Sequence, residues 1–526
     1  MGDRKHSSVE EIPSFKEDFP SLPIDSSILN TLIEDAQDWA HANGLVMRSS
    51  ENKSSSDSCI HAPFSLLPAP FPASLYRQAL QVQDATARLY HRIAYDTQWL
   101  LNAHENVIKT DEFTRNLCDI LKKVTDEGLA QRKTLVIQRS DYMSHKDPFT
   151  SEYTLKQVEV NNIASSMGAH AERVSSLHRR VLSLLGMEEG RIKAAIPHNK
   201  PVIMIARALF LAWKEFGRPN GVILVIVEDV NQNQIDQRHI EYELTEQGVN
   251  PALIKRITLT QCHESVKLDS DRHLILDEST VSVVYFRAGY SPDHYHSHKE
   301  WDARLTIERS DAIKAPWIGL QVANTKKVQQ VLAEDGQLEL FISNFAEAAS
   351  VRQTFAGLWA LDGNDPVAEK IIKISSHNWT TEMSSCVYKV LLYPLTYFIQ
   401  HAQAKPEGYV LKPQLEGGGG NFYGDEVCDK LLHATAEERS AYILMEKLRP
   451  LVVQSYLVRA HNSTQLAESV SELGIYGYAF GNDIDPPVVA TGGHLLRTKG
   501  KLVLEGGVAV GASVIDSPFL YEYRGE

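Results

Sequence analysis

The apolar positions Leu29, Leu32, Ile33, Ala36, Trp39 and Ala40 recur at helical spacing, and Gly44 follows where a glycine commonly closes such a helix. A surface helix with one apolar face is predicted there. From Leu75 to about Lys123 long helical patterns dominate, after which Lys133 to Ile137 (KTLVI) and Gln157 to Val160 (QVEV) read as strands, so helices come first and sheet afterwards. Between Gly221 and Val322 the pattern becomes strand, helix, strand: GVILVIV, a polar-rich helix around Gln234 to Gln247 closed by Gly248, then LIKRITL and VSVVYF. That alternation predicts an inserted α/β unit with a parallel sheet. Lys326 to Glu334 reads as a helix, and from Tyr409 onward short strands alternate with glycine-rich turns. No repeat of fixed period is visible, and the polar run Ser49 to Ser58 (SSENKSSSDS) reads as a solvated loop.

Length and charge narrow the class. A chain of 526 residues is too long for one hydrophobic core. With 43% hydrophobic and 23% charged residues it is neither disordered nor fibrous. The net charge of −14 repels polyanions, so nucleic acid is a poor partner and any phosphate-bearing ligand needs a local basic cluster. The five cysteines, Cys59, Cys118, Cys262, Cys386 and Cys428, include no CxxC pair, which argues for a reducing compartment and against a disulfide framework or cysteine zinc site. They are read as structural. The first residues lack an apolar signal core, and the apolar stretches Pro201 to Trp213 and Gly221 to Val227 are broken or too short for a bilayer, so no membrane span and a cytoplasmic location are expected.

The segment YVLKPQLEGGGGNFYG (Tyr409 to Gly424) carries the most chemistry. Four consecutive glycines, Gly417, Gly418, Gly419 and Gly420, let several backbone N–H groups turn toward one point, as loops that cradle phosphates do. Lys412 supplies charge and Glu416 a hard oxygen for magnesium. The spacing fits neither a Walker A loop nor a dinucleotide fingerprint. In QVEVNNIASSMG, strand alternation puts Glu159 and Asn161 on one face, half of an octahedral magnesium site, although alone such a pair is more often a surface face. ILMEKL, SELG with Glu472, and GGHLLRTK with Arg497 and Lys499 each read as a short strand with a charge, and each is open to reading as a structural ion pair. Together they suggest a nucleotide held between two sheets, with lysines on its phosphates and carboxylates on magnesium.

With QRSDYM, NQIDQR, VVYFRAGY, WDARLTIERSDAIKAP, NTKKVQQVL, VLKPQLEGGGG, YILMEK and HLLRTK in this order, the chain from about Glu10 onward resembles the eukaryotic glutathione synthetases. The resemblance implies an α/β ATP-grasp fold with an inserted three-layer α/β substrate-binding domain and a helical N-terminal region. It divides the chain into 1–217, 218–324 and 325–526. It implies ligation of γ-glutamylcysteine with glycine through an acyl phosphate, with ATP as co-substrate, Mg2+ as cofactor and a homodimer as the assembly. On this resemblance Glu159, Asn161 and Glu416 are the metal ligands. Glu159, Lys326, Lys412, Gly417 to Gly420, Asn421, Tyr423, Met445, Glu446, Lys447, Leu448, Glu472, Lys499 and Glu505 are the ATP contacts. Arg139, Ala164, Ser165, Ser166, Met167, Asn231, Gln232, Asn233, Gln237, Arg287, Ala288, Gly289, Tyr290, Arg497, Val508 and Ala509 are the peptide and glycine contacts, and Arg139, Lys412 and Arg497 are catalytic.

The chain departs from the pattern at substrate positions. Ala164 stands where a serine is common, Asn231 and Gln232 replace a Glu–Arg pair, Ala288 replaces an acid, Leu415 an arginine and Val510 an alanine. The stretch from about Glu369 to Pro406 is longer than the pattern. Two other readings are set beside this one: a ligase that takes β-alanine or serine, and a nucleotide-binding scaffold without catalysis, which would be expected to lack a magnesium carboxylate.

Overall fold

The structure is a computed structural model that describes residues 19–148, 150–361, 403, 405–414, 420–504, 506–508 and 511–523. Its centre is a seven-stranded sheet in the order Val452–Val458, Phe64–Ser65, Val514–Asp516, Val488–Gly500, Leu466–Gly481, Thr134–Lys146, Tyr153–Asn161. Strands from before residue 162 and after residue 451 thus share one sheet. Val452–Val458 also pairs with the start of Leu466–Gly481, Val452 opposite Val470, which curls that side of the sheet onto itself.

Burial on both faces explains the strong apolar content of these strands. Leu473, Ile475 and Leu496 pack with Tyr76, Ala79 and Val82 of helix Ala73–Tyr95. Tyr476, Tyr478, Phe480 and Leu495 face the other way, into Val174 and Leu177 of helix Gly168–Leu184 and Ile205 and Leu209 of helix Pro201–Phe216. Alternation along each strand thus sends consecutive apolar residues, Ile475 and Tyr476 or Leu495 and Leu496, to opposite layers.

The sequence between these parts forms its own sheet. Ile254–Ile257, Val222–Ile226, Ser279–Phe286 and Ile313–Ala315 are parallel neighbours in that order, and Leu274–Leu276 and Val266–Leu268 extend the sheet antiparallel. Every residue of Val222–Ile226 is buried, as expected of a parallel strand covered on both faces. Helix Gln234–Glu246 follows the first strand, as its periodicity predicts. A third, antiparallel sheet runs Leu358–Ala360, Tyr442–Glu446, Tyr409–Pro413, Phe422–Tyr423.

Two expectations change. Short strands precede the helices: Val46–Arg48 pairs with Cys59–His61, so the polar run from Ser49 to Ser58 is the loop of a hairpin, and Ala69–Pro72 pairs with Pro518–Tyr521. Strands of two to four residues are too short to display a period. Leu466–Gly481 and Val488–Gly500, expected as short strands, are a long hairpin of 16 and 13 residues. The long stretch near residues 369–406 lies mostly outside the described residues, as does Cys386, while Cys59, Cys118, Cys262 and Cys428 are free thiols. Among the described residues no helix is long and apolar enough to cross a membrane.

Gly493 shows how tightly the layers meet. Its φ is +86°, and an added Cβ would lie 2.7 Å from the backbone nitrogen of Pro201, where helix Pro201–Phe216 begins. Gly493→Ala is expected to cost about 2 to 4 kcal/mol, from overpacking plus the left-handed backbone, measured by chemical denaturation.

Candidate active site

A cleft of about 570 Å³ opens between the third sheet and the central one. Lys412 reaches it from Tyr409–Pro413, and Met445 and Glu446 end Tyr442–Glu446, with Lys447 and Leu448 following. Opposite stand Glu159 and Asn161 of Tyr153–Asn161, Glu472 of Leu466–Gly481, and Arg497 and Lys499 of Val488–Gly500. Lys326, the first residue of helix Lys326–Ala333, completes the wall.

The floor is a charge network. Asp141, fully buried, accepts from Arg139 Nε at 2.7 Å, Arg139 Nη2 at 2.8 Å, Arg497 Nη2 at 2.9 Å and Asn161 Nδ2 at 2.9 Å. Arg497 also pairs with Glu472, whose carboxyl burial pushes up. Lys326 Nζ is 3.5 Å from Glu159 Oε2, and Lys412 Nζ donates to the Val158 carbonyl at 3.3 Å. Burial opposes charge on Glu159, but Lys326 and Lys412, then Arg497 and Arg139, outweigh it and hold its carboxyl at about 2. As an ionised oxygen, Glu159 would be one of the groups to hold a cation that neutralises phosphate charge. Asn161 turns its NH2 to Asp141 and, at 3.5 Å, to Glu159 Oε1, which leaves its carbonyl oxygen as the end available to a cation. Among the described residues no three His, Cys, Asp or Glu side chains form a metal set; the third expected ligand, Glu416, lies outside them.

At the other end of the cleft, residues 164–167 form a turn with two non-glycine residues at positive φ, Ala164 at 53° and Met167 at 71°. Such strain persists only where the surroundings hold it. Asp236, at the start of helix Gln234–Glu246, accepts from the N–H groups of Met167 at 2.8 Å and Ala169 at 2.9 Å, so it caps helix Gly168–Leu184 from the inserted sheet's side. The Ser165 carbonyl accepts from Arg287 Nη1 at 2.7 Å and the Ser166 carbonyl from the Tyr476 hydroxyl at 2.5 Å.

Near the mouth, Lys499 Nζ at 2.6 Å and the Tyr423 hydroxyl at 3.3 Å both donate to the Leu504 carbonyl, and Asn421 Nδ2 reaches the Tyr423 hydroxyl at 3.4 Å. Leu502 in this segment is 90% exposed.

The cleft brings together most of the expected residues. Arg139, Glu159, Asn161, Ala164, Ser165, Ser166, Met167, Tyr290, Lys326, Lys412, Asn421, Tyr423, Met445, Glu446, Lys447, Leu448, Glu472, Arg497, Lys499 and Val508 line it. Asn231, Gln232, Asn233, Gln237, Arg287, Ala288, Gly289 and Gly420 do not. Gln232 is turned to Arg48, its Nε2 donating to the Arg48 carbonyl at 3.0 Å, and Gln237 Oε1 accepts from Arg256 at 2.9 Å. Glu416, Gly417, Gly418, Gly419, Glu505 and Ala509 lie outside the described residues, with Leu415 and Val510. Asp141, Asp236, Met143, Arg449 and Lys501 were not anticipated. The first carried a signal: in TLVIQRSDYM, Arg139 and Asp141 are opposite charges two apart with no other charge in the segment, so on a strand they share one face. Asp236 carries none, since one acid on a polar helix is ordinary.

Two sheets thus face each other across a cleft lined by lysines and arginines, with the Glu159 carboxylate among them. Residues 26–520 match the model of the eukaryotic glutathione synthase ATP-binding domain. The chain is 38% identical to the glutathione synthetase of Rattus norvegicus over 95% of its length and 98% of that protein, and 35% identical to the chloroplastic glutathione synthetase of Solanum lycopersicum over 94% and 85%. It is also similar to the apo structure of a glutathione synthetase-like effector from Globodera pallida, with a TM-score of 0.73, 28% identity, and coverage of 96% of this chain and 99% of that one. The chain belongs to the eukaryotic glutathione synthase family.

Breaking a buried ion pair by removing one partner typically costs about 3 to 5 kcal/mol. Asp141→Asn leaves both arginines without their shared carboxylate. A loss of stability of that order is expected in urea unfolding, and a change below about 1 kcal/mol would show that the network does not hold the sheet.

Proposed function

We propose that this chain joins the cysteinyl carboxylate of γ-glutamylcysteine to the amine of glycine, with ATP consumed to ADP and phosphate. The observation that supports this best is the convergence of Lys326, Lys412, Arg497 and Arg139 on the carboxylate of Glu159, inside a cleft walled by two sheets. A carboxylate is a poor electrophile. Transfer of the terminal phosphoryl group of ATP to its oxygen gives an acyl phosphate. The glycine amine then attacks the carbonyl carbon, phosphate leaves with the C–O electron pair, and the amine gives up a proton. Lys326 and Lys412 stabilise charge on the transferred group, and Arg139 and Arg497 are placed to hold carboxylates. Glu159 and Asn161, with Glu416, would hold magnesium, which when bound supplies further neutralisation of phosphate charge. The Lys499 and Tyr423 bonds to Leu504 hold the segment before Val508 across the mouth, where closure keeps water from the acyl phosphate.

This reading carries the ATP-grasp layout with it, the third sheet acting as one jaw and the central sheet as the other. Division into 1–217, 218–324 and 325–526 is supported by the confinement of the parallel sheet to strands between Val222 and Ala315. A homodimer, on the family resemblance alone, and a cytoplasmic setting, on the cysteine usage and the lack of an apolar signal core, complete the proposal.

Glu159→Gln is expected to lower ADP formation by about 10²-fold or more while the chain stays folded, because it removes the charged oxygen at the phosphates. A chelator should abolish the wild-type reaction and added Mg2+ restore it. Near-normal turnover of the variant at saturating Mg2+ would sink the assignment.

The acceptor is read from the loop Gly506 to Gly511, where Ala509 is small and Val510 larger than the family's alanine. Glycine is expected to exceed β-alanine and serine by about 10-fold or more in kcat/KM, because one extra methylene in a fitted pocket costs roughly 1 to 3 kcal/mol. Competition among the three acceptors, read by mass spectrometry of the product, decides it; a β-alanine preference would rename the product.

A further inference from the structure

Two stretches of chain join the third sheet to its surroundings, and both rest on one end of the same hairpin. Residues 353–357 lead into Leu358–Ala360, and residues 447–451 lead from Tyr442–Glu446 to Val452–Val458 of the central sheet. On the first stretch, the Gln353 and Phe355 carbonyls accept from Lys156 Nζ at 3.1 and 2.9 Å, and the Thr354 carbonyl accepts from the Gln157 N–H at 2.6 Å. On the second, the Arg449 carbonyl accepts from the Lys146 N–H at 2.8 Å. The Arg449 N–H donates to His145 Nδ1 at 3.1 Å, and the Leu451 N–H to Ser144 Oγ at 3.1 Å. These groups are neighbours because Met143 pairs with Lys156, Ser144 with Leu155 and His145 with Thr154 in the strand register.

His145 holds the second stretch through its side chain, on a residue only 3% exposed. Because Nδ1 accepts, the ring is neutral and carries its proton on Nε2, which faces Glu446 Oε1 at 3.7 Å. Burial is the main cause that keeps the imidazole below its ordinary range; Arg449 and Lys156 act with it, Glu446 and Asp147 against it. Glu446 Oε2 in turn accepts from the Gly357 N–H at 3.3 Å, which ties the two stretches to each other. His145 does not line the cleft, yet what it holds does: residues 445–450 form part of the wall, with Met143 of its own strand beside them.

We propose that His145 is a positioning residue for the nucleotide, setting through Arg449 and Glu446 where residues 445–448 meet ATP. The inference rests on the ligase reading for the identity of that ligand and adds to it a residue behind the cleft wall. Without the ring, the Arg449 N–H loses its acceptor, and the stretch must shift to satisfy it. Lys326, Arg139 and Arg497 stand on other elements and keep their places, so the peptide and glycine ends of the cleft are spared.

The test measures ADP binding by calorimetry with Mg2+ present, beside steady-state kinetics. In His145→Ala the Kd for ADP and the KM for ATP are expected to rise by about 5-fold or more, with the KM values for γ-glutamylcysteine and glycine within about twofold of wild type. His145→Gln, whose amide oxygen accepts the same N–H, should bring both nucleotide constants back to within about twofold. Unchanged nucleotide constants in His145→Ala, an equal rise in all three KM values, or a Gln variant as impaired as the Ala variant overturns the assignment and leaves the ligase reading standing. If melting temperatures show that His145→Ala does not fold, Ser144→Ala, which removes the acceptor of the Leu451 N–H, takes its place under the same criteria. A wild-type chain that binds ADP but forms no peptide bond overturns the ligase reading alone, and the Kd comparison then decides the role of His145. One that binds no ADP overturns both.

Discussion

One buried carboxylate, Asp141, ties the active site to the frame that carries it. It takes hydrogen bonds from Arg139 on its own strand, from Asn161 on the strand beside it, and from Arg497 two strands away on the other side. Arg139 and Arg497 thereby acquire fixed positions in the cleft, and Glu472 fixes the second of them again. In a low-dielectric floor such a network is costly to assemble half-way. Gly474 shows the close fit, since a Cβ there would stand 2.5 Å from an Asp141 oxygen. The cluster therefore acts as a unit, and the orientation of both arginines is inherited from strand pairing rather than from flexible side chains.

A second constraint joins the inserted sheet to this frame. The turn at residues 164–167 carries backbone strain at both ends, and what holds it comes from elsewhere: Asp236 from the inserted unit's helix, Arg287 from its loop, Tyr476 from the central sheet. Three separate elements meet on four backbone groups between Ser165 and Ala169. Substrate would be read where those elements converge, so a small rotation of the inserted sheet would be felt directly by the turn.

How much of this was legible in the sequence differs by element. Val222–Ile226 and Ser279–Phe286 were readable because parallel strands buried on both faces show as unbroken apolar runs. Phe64–Ser65 and Ala69–Pro72 were not, because they owe their extended state to partners far along the chain, near residues 457 and 515 to 521, and a strand of two or four residues has no pattern of its own. In the site, Lys412 stood out as the lone charge on an apolar strand, and Glu159 by its alternation with Asn161. The neutral residues 231–233 were placed only by resemblance, and the structure sets them behind the cleft wall. The role of Asp236 could not be read at all, since it depends on the distance between a helix start in one sheet and a strained turn in another.

The mixing of early and late strands in one sheet has a consequence for how the chain is made. Thr134–Lys146 pairs along most of its length with Leu466–Gly481, and Phe64–Ser65 sits between Val452–Val458 and Val514–Asp516. At synthesis rates of about 5 to 20 residues per second, the earlier strands wait roughly 15 to 90 seconds after leaving the ribosome for the partners that cover their edges. Throughout that interval a long, apolar strand edge stays open, which is the condition that favours wrong pairing. The parallel sheet, whose strands are contiguous in sequence, needs no such delay. Folding of this chain is therefore expected to begin in its middle and to finish only when its last strands emerge, with holding chaperones bearing on the first third.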